Sequence, residues 1–412
     1  MIDNKKIGER MAVLRKERGM TGEKFAELLD VSPQAVSKWE TGKNLPETVL
    51  LPDISRILGV SIDSILIPET YPVKLYLGGH YIDGLPLLRY GQLCDCTWAG
   101  SIKLLLDAIG VKVSYSEIMG FSGACYFFAM KSNWCPSAAM LQIAYNPNIT
   151  LEKSVGVEHA LFAPENRDSK VKEAISHGKP VMLIQPRVEM EWGVLCGYTE
   201  DGRIYGRSYF DNLKPDKKDI FTNNEYFLAD SYPGADPSLI YFLDNRATPI
   251  PLNEALKKSL ETALWLYTTG NKHNNPDYAL GLSAYDVIID GLRRDDTGFA
   301  ALTQYGATGN GIFLLTQLID KRRAANAFWI EKSQYLSDIN AKKMRDVANL
   351  YADVLSTLNV ILPNDIINST QNGYPFEAWS VEKRNQIADT LITCKEMEQQ
   401  VVDIISDVLN HW

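Results

Sequence analysis

Cys96 stands at the head of the stretch Thr97-Trp98-Ala99-Gly100-Ser101-Ile102-Lys103-Leu104-Leu105-Leu106-Asp107-Ala108-Ile109-Gly110, which reads as a helix with an apolar run and a glycine stop. A thiol there meets free N–H groups and the positive end of the helix dipole, and both favour thiolate and nucleophilic chemistry. A base to serve it is harder to find. Of the five histidines (80, 159, 177, 273 and 411), His177 ends a helix before a strand and His159 lies in an irregular stretch. The other cysteines form no CxxC pair and no Cys/His cluster at ligand spacing, so neither metal nor cofactor is expected. A second set of functional residue types lies near the amino end. Gln34, Ser37 and Lys38 fall on the exposed side of a short helix, where Gln can pair bidentately with adenine and Lys can reach guanine acceptors. Lys43 and Asn44, just past that helix, suit phosphate contacts that set register, while Val36 and Trp39 point inward.

The elements that hold the second set are short. Ile7, Met11 and Leu14 recur at helical spacing in a helix ending near Gly19. Thr21 can cap a second helix that buries Phe25, Ala26, Leu28 and Leu29. Asp30-Val31-Ser32 is a turn, and Ser32-Pro33 starts the helix that carries Gln34 to Glu40 and stops before Gly42. Two helices joined by so short a turn fit a helix-turn-helix. Leu51, Ile54, Leu58, Val60, Ile65 and Leu66 supply closing helices.

Beyond this head the pattern changes twice. Residues 71–248 mix helices with β-rich runs: Val181 to Ile184, then a hairpin of Trp192 to Tyr198, the turn Glu200-Asp201-Gly202, and Arg203 to Tyr209. Residues 251–412 are helical, with Leu252, Leu256, Leu260, Leu264 and Tyr267 on one face and a second helix starting at Asn275-Pro276-Asp277. Lys321-Arg322-Arg323 reads as a solvated basic face, and Trp265, Tyr285, Phe328 and Trp329 as core or as a pocket mouth. Three domains are therefore expected: 1–68, 71–248 and 251–412, with proline-rich punctuation between them.

Composition bounds the function. The chain has 412 residues, 45% hydrophobic and 10% aromatic, so it can bury several cores and is not disordered. No apolar run is long enough to span a bilayer, and Met1 to Lys6 lacks the apolar stretch of a secretory signal. Six cysteines make no disulfide framework, and the expectation is a reduced, cytoplasmic protein. The net charge of −9 argues against a protein coated in a basic field. Residues 1–43 nevertheless hold nine basic against seven acidic residues, so the amino end is the positive one.

Two resemblances sharpen these readings. Ile7-Gly8-Glu9-Arg10, Leu14-Arg15, Phe25-Ala26, Val31 to Glu40, Gly42-Lys43, Leu45-Pro46 and Leu58 to Asp63 resemble the Xre/Cro helix-turn-helix regulators. The family usually has Gln after the Thr that caps its second helix, and here that residue is Gly22. Asp95-Cys96 with its following helix, Gly178-Lys179-Pro180-Val181, and Gly197-Tyr198 with the later Asp211 resemble the papain-like fold, in particular the C39-like peptidases. The stretch Tyr278 to Tyr285 resembles the helical half of butirosin-biosynthesis-type acyltransferase proteins.

The second resemblance implies Cys96 as nucleophile, but the position of its general-base histidine holds Glu191, beside Trp192. A glutamate there would raise the thiol pKa rather than activate it. Gln92 lies only four residues before Cys96, closer than the family's oxyanion glutamine. The fold class expected is thus multidomain α and α+β: an all-α helix-turn-helix, a papain-like α+β domain and a helical bundle. The function expected is a sequence-specific regulator of transcription, binding double-stranded DNA as a homodimer. Its body would sense a small molecule or peptide at Gln92, Cys96, Glu191, Trp192 and Asp211. The alternatives are a cysteine-dependent acyltransferase, amidase or peptidase, and an interaction scaffold with neither activity.

Overall fold

Ile7, Met11 and Leu14 line one side of α1 (Asn4–Glu17) and meet Phe25 and Ala26 of α2 (Gly22–Leu28) and Val36 and Trp39 of α3 (Pro33–Glu40). Ile54 and Leu58 of α4 (Leu51–Leu58) and Ile65 of α5 (Ile62–Leu66) complete this core. The caps are those the sequence announces. Thr21 Oγ1 accepts the Lys24 amide at 3.2 Å, and Ser32 Oγ accepts the Ala35 amide at 3.2 Å with Pro33 at the first helical position. Between α2 and α3, Asp30 takes a left-handed φ of 52°, which reverses the chain in three residues. Gly8 is required where α1 crosses the end of α3, because a Cβ there would lie 2.1 Å from the Trp39 carbonyl oxygen. An Arg15–Glu40 fork, at 2.6 and 3.0 Å, ties the same two helices together at a site largely shielded from water.

These helices form the first of two units in a computed structural model, Met1–Tyr71 and Pro72–Trp412. The structure describes residues 4–18, 20–58, 62–66, 71, 73–90, 94–134, 140, 143, 145–162, 166–184, 191–209, 220–221, 226–229, 241–244, 247–270, 273, 275–302, 307–361 and 380–412. Among them no helix is long and apolar enough to cross a membrane.

The second unit is built on an antiparallel sheet, nine-stranded among the described residues, with the order β4-β10-β5-β6-β7-β9-β8. Its strands are β4 (Glu158–Leu161), β5 (Val181–Ile184), β6 (Trp192–Tyr198), β7 (Ile204–Ser208), β8 (Ile220–Phe221), β9 (Tyr226–Ala229) and β10 (Tyr241–Asp244). The hairpin of β1 (Val73–Tyr76) and β2 (Gly79–Ile82) joins β6 where Tyr81 pairs with Gly197. That glycine sits at a register shift in β6, and a Cβ on it would meet Tyr81 and Tyr205, both at 2.6 Å. Val181 to Ile184 and Trp192 to Cys196 are buried on both faces, which explains their unbroken apolar runs. Helix α6 (Thr97–Ala108) lies across β5 and β6, and α7 (Tyr115–Ser122) packs beside it.

The helices Leu252–Thr268, Ala307–Lys332, Asp338–Ile361 and Val381–Asn410 follow. One hydrophobic cluster runs from Leu105 and Met182 through Leu260 and Phe328 to Val401 and Ile405, so the segments that the sequence divides at residues 249–251 share a core within one unit. Two expectations for this region need correction. β11 (Tyr278–Leu280) is not the start of a helix but a strand, paired antiparallel with β3 (Ala129–Lys131). Gly281, at φ 63°, ends it, and its α-carbon lies so close to the preceding helix that a Cβ would meet the Leu266 carbonyl oxygen at 2.3 Å. Helix Leu282–Leu292 begins only after that turn.

The second correction concerns the basic triplet. Arg322 is fully buried, as is Glu398, and the two form a forked ion pair that includes an Nη2–Oε2 contact of 2.8 Å. Its remaining Nη1 donates to the Cys125 carbonyl at 2.7 Å, and its guanidinium faces the Tyr267 ring 5.4 Å away. Arg322 falls on the face of Leu315, Leu318, Ile319, Ala325 and Trp329, which helical spacing carries into the core. Lys321 is 9% exposed, and only Arg323 keeps a partly exposed side chain.

Removing one partner of such a pair strands the other charge in a dry core. Glu398→Leu should destabilise the second unit by about 3–5 kcal/mol, and adding Arg322→Met should recover much of that loss. Urea unfolding of the single and double variants checks both statements, and a single-variant loss below about 1 kcal/mol would contradict them.

Candidate functional site

Two places in the chain gather functional side chains. In the head, α3 buries Val36 and Trp39 and leaves Gln34, Ser37 and Lys38 exposed on its other side. The helix ends in a tight turn at Gly42, φ 71°, where the amides of Lys43 and Asn44 both return to the Lys38 carbonyl, at 2.9 and 3.3 Å. Lys43 and Asn44 are exposed next to the helix end. The five residues chosen from sequence therefore belong to one continuous exposed strip. Gly22 stands in the place of the usual glutamine, and a Cβ on it would meet no atom within 4 Å, so nothing there replaces the missing side chain.

The second place surrounds Cys96, which caps α6 with an extended backbone. Thr97 Oγ1 donates to Glu191 Oε2 at 2.6 Å, placing the glutamate that precedes β6 at the head of the helix. Trp192 opens β6 and is buried. Cys96, Glu191 and Trp192 are thus brought together, whereas Gln92 and Asp211 lie outside the described residues. Gly100 is fixed by the same packing: the Tyr209 hydroxyl, which donates to the Cys94 carbonyl at 2.6 Å, occupies the space of a Cβ.

Of the two opposing influences on Cys96, helix position and the neighbouring acid, burial sides with the acid. Cys96 is 5% exposed, and desolvation pushes its thiol up to about 11. Lys321 and the Ala99 amide pull the other way, and Asp320 and Glu191 add to the rise. The helix N-terminus is also partly occupied already, since the Cys96 amide donates to the Tyr115 hydroxyl at 3.0 Å. The stretch from Met119 to Tyr126, with glycines at 120 and 123, packs beside this site. It is buried throughout, and Gly120 lies flat against the Phe328 ring.

Residues that the sequence did not single out complete the surroundings. Tyr115 passes the contact on, donating to Asp320 Oδ2 at 2.6 Å. Gln317 Nε2 donates to the Asp95 carbonyl at 2.8 Å. The Tyr90 and Tyr209 rings meet at a tilt, their centroids 4.9 Å apart, and burial raises both phenols well above their usual range. The signal available for the Ala307–Lys332 residues was positional. Gln317 and Lys321 lie one turn apart, beside an apolar face that already contains Arg322.

The thiol titration gives a direct check. Alkylation of Cys96 by iodoacetamide should be slow near pH 7 and rise through pH 9 towards pH 11, as peptide mass mapping would show. A plateau reached below pH 8.5, the free-thiol value, would contradict the burial described.

Comparison with known proteins bears on the head. The helix-turn-helix family model matches residues 11–65. HTH-type transcriptional activator BcrR of Enterococcus faecalis is 41% identical over 63 residues, 15% of this chain and 31% of that protein. The SPbeta prophage-derived uncharacterized HTH-type transcriptional regulator YonR of Bacillus subtilis (strain 168) is 37% identical over 60 residues, 15% of this chain and 56% of its own. The uncharacterized HTH-type transcriptional regulator YazB of the same organism is 34% identical over 62 residues, again 15% of this chain but 90% of its own. The chain thus spans about a third of BcrR and just over half of YonR, and nearly all of YazB. Through its amino-terminal unit, the chain belongs to the helix-turn-helix family of transcriptional regulators.

Proposed function

We propose that the full chain is a sequence-specific DNA-binding regulator of transcription whose second unit senses a small molecule or peptide. The observation that carries the DNA-binding reading is α3. Its buried side is committed to the core, and its free side offers Gln34, Ser37 and Lys38 with Lys43 and Asn44 beyond. In this reading Gln34 and Lys38 meet base edges in the major groove, and Lys43 and Asn44 hold the phosphate backbone. Two chains on two half-sites would supply the affinity that one small head lacks. Differential binding of a ligand to two states of the protein would then change DNA affinity.

What supports the sensing reading is the arrangement around Cys96. A cysteine heads a helix packed on an antiparallel sheet, and the residue before the facing strand touches the head of that helix. The acid at that position and the high thiol pKa favour binding over hydrolysis. A cysteine-dependent acyltransferase remains the second reading, and the observation in its favour is that Cys96 stands at the N-terminus of its helix.

Gln34→Ala and Lys38→Ala should each weaken the full chain on a selected duplex by about 1–3 kcal/mol, with little change on unrelated DNA. Lys43→Ala should weaken binding to all sequences and flatten the salt dependence. Fluorescence anisotropy at fixed ionic strength measures all three. Unchanged specific affinity in both the Gln34 and Lys38 variants would overturn the assignment.

A further inference from the structure

Of the four aromatic residues that the sequence offers as core or pocket mouth, Tyr285, Phe328 and Trp329 are fully buried, and Trp265 is 41% exposed. Trp265 borders a groove of about 400 Å³ between the helices Asn148–Val155 and Leu252–Thr268, which pack side by side. Helical spacing explains the lining. Leu256, Leu260 and Ala263 give the inner face of Leu252–Thr268 to the core, so Lys258, Glu261 and Trp265, at steps of three and four, turn to the groove. Ile149 and Lys153, one turn apart on the facing helix, meet them from the other side. Ile149 is 53% exposed, so two large apolar side chains stay half open to water across one depression.

We propose that this groove is a ligand site of the second unit and takes a small aromatic carboxylate. The inference rests on the reading that this unit senses a small molecule, and it gives that molecule a place and a class. Size, shape and charge each narrow the occupant. The volume falls in the lower part of the range of about 300–1,000 Å³ usual for small-molecule sites, enough for one fused-ring acid. The wall suits a flat apolar body. The Trp265 ring lies against Tyr145, with centroids 6.1 Å apart and planes tilted by 36°, and Tyr145 stacks on Phe127 at 5.6 Å and 9°. The Tyr145 hydroxyl is already taken by the Ser122 carbonyl at 2.5 Å, so what this residue offers a ligand is its ring.

Charge selects among flat molecules. The lining carries two ammonium groups, Lys153 and Lys258, against one carboxylate, Glu261, an excess of one positive charge. Among the described residues Lys153 and Glu261 make no ion pair, and Lys258 meets Glu254 only at 3.7 Å on an exposed turn. That excess matches a monoanion. A doubly charged phosphate would stand against Glu261, and an amine against both lysines. The groove also touches the interior of the unit. At Gly123, φ 83°, a Cβ would collide with Thr262 Cγ2 and crowd the Tyr145 hydroxyl. The groove wall therefore rests directly on the segment whose Cys125 carbonyl accepts from Arg322, which gives an occupant a contiguous contact route toward the helix Ala307–Lys332.

The test is calorimetric titration of the full chain with two probes that share a ring and differ in charge, indole-3-acetate and tryptamine. Indole-3-acetate should bind saturably, and tryptamine about tenfold more weakly or not at all. Trp265→Ala should weaken indole-3-acetate by about tenfold, and Trp265→Tyr, which keeps a ring, by less. Lys153→Glu should weaken indole-3-acetate by about fivefold and improve the binding of tryptamine, because it turns an attraction into a repulsion. Both side chains are exposed, and an unchanged urea midpoint in each variant separates loss of the site from loss of the fold. No saturable binding, equal affinity for the two probes, or wild-type affinity in both Trp265→Ala and Lys153→Glu would each overturn the proposal. Binding of indole-3-acetate that passes these tests yet leaves DNA affinity unchanged would support the groove and overturn the sensing role instead.

Discussion

The helix Ala307–Lys332 reaches the surroundings of Cys96 through Gln317 and Asp320, and the buried Arg322–Glu398 pair sets which of its faces is turned there. Arg322 reaches Glu398 on the last helix and the Cys125 carbonyl beyond α7, with no water to compete for either contact. A helix has only one face to give a partner at each level. With Arg322 committed, Gln317 and Asp320 are turned toward the segment of Asp95 and Cys96, and Lys321 rests on the Phe127 ring. An apolar residue at position 322 would pack as well or better, yet would leave the rotation of the helix less strictly defined. The pair's value therefore lies in orientation, while the helical and α+β segments share one core through the hydrophobic cluster that runs between them.

A related economy appears in the head. Gly8 and the Arg15–Glu40 fork bring α1 against the end of α3, so the recognition helix is fixed by its buried side and by its last residue. What remains exposed on α3 is then a short strip of polar and basic side chains. Such a strip is rigidly presented, and rigid presentation limits the ordering entropy to be lost on binding a duplex.

Legibility in the sequence followed the range of the interactions. Local chemistry was readable: the Thr21 and Ser32 caps, the α2–α3 turn, the β6–β7 hairpin and the helix that carries Leu252 to Tyr267 all stand where spacing put them. Contacts between distant segments were not. Tyr278 to Leu280 has helical spacing but becomes a strand, because Ala129 to Lys131 offers an open edge and Gly281 breaks the register. Lys321 and Arg322 look solvated by composition, and only the position of the apolar face reveals otherwise. The state of the Cys96 thiol was open in the sequence for the same reason. Helix position is local, whereas burial depends on the packing of distant segments, such as Tyr209 against Cys94 and Gln317 against Asp95.

If α3 reads sequence, the full chain should choose among duplexes drawn from a random pool, sequenced over successive rounds of selection. One short motif should then be enriched, recovered as paired half-sites a whole number of helical turns apart. Replacing Gln34 and Lys38 together by alanine should abolish that enrichment. A pool that stays random while DNA is still retained at low salt would contradict sequence reading by α3, leaving only the sequence-independent attraction of a basic surface.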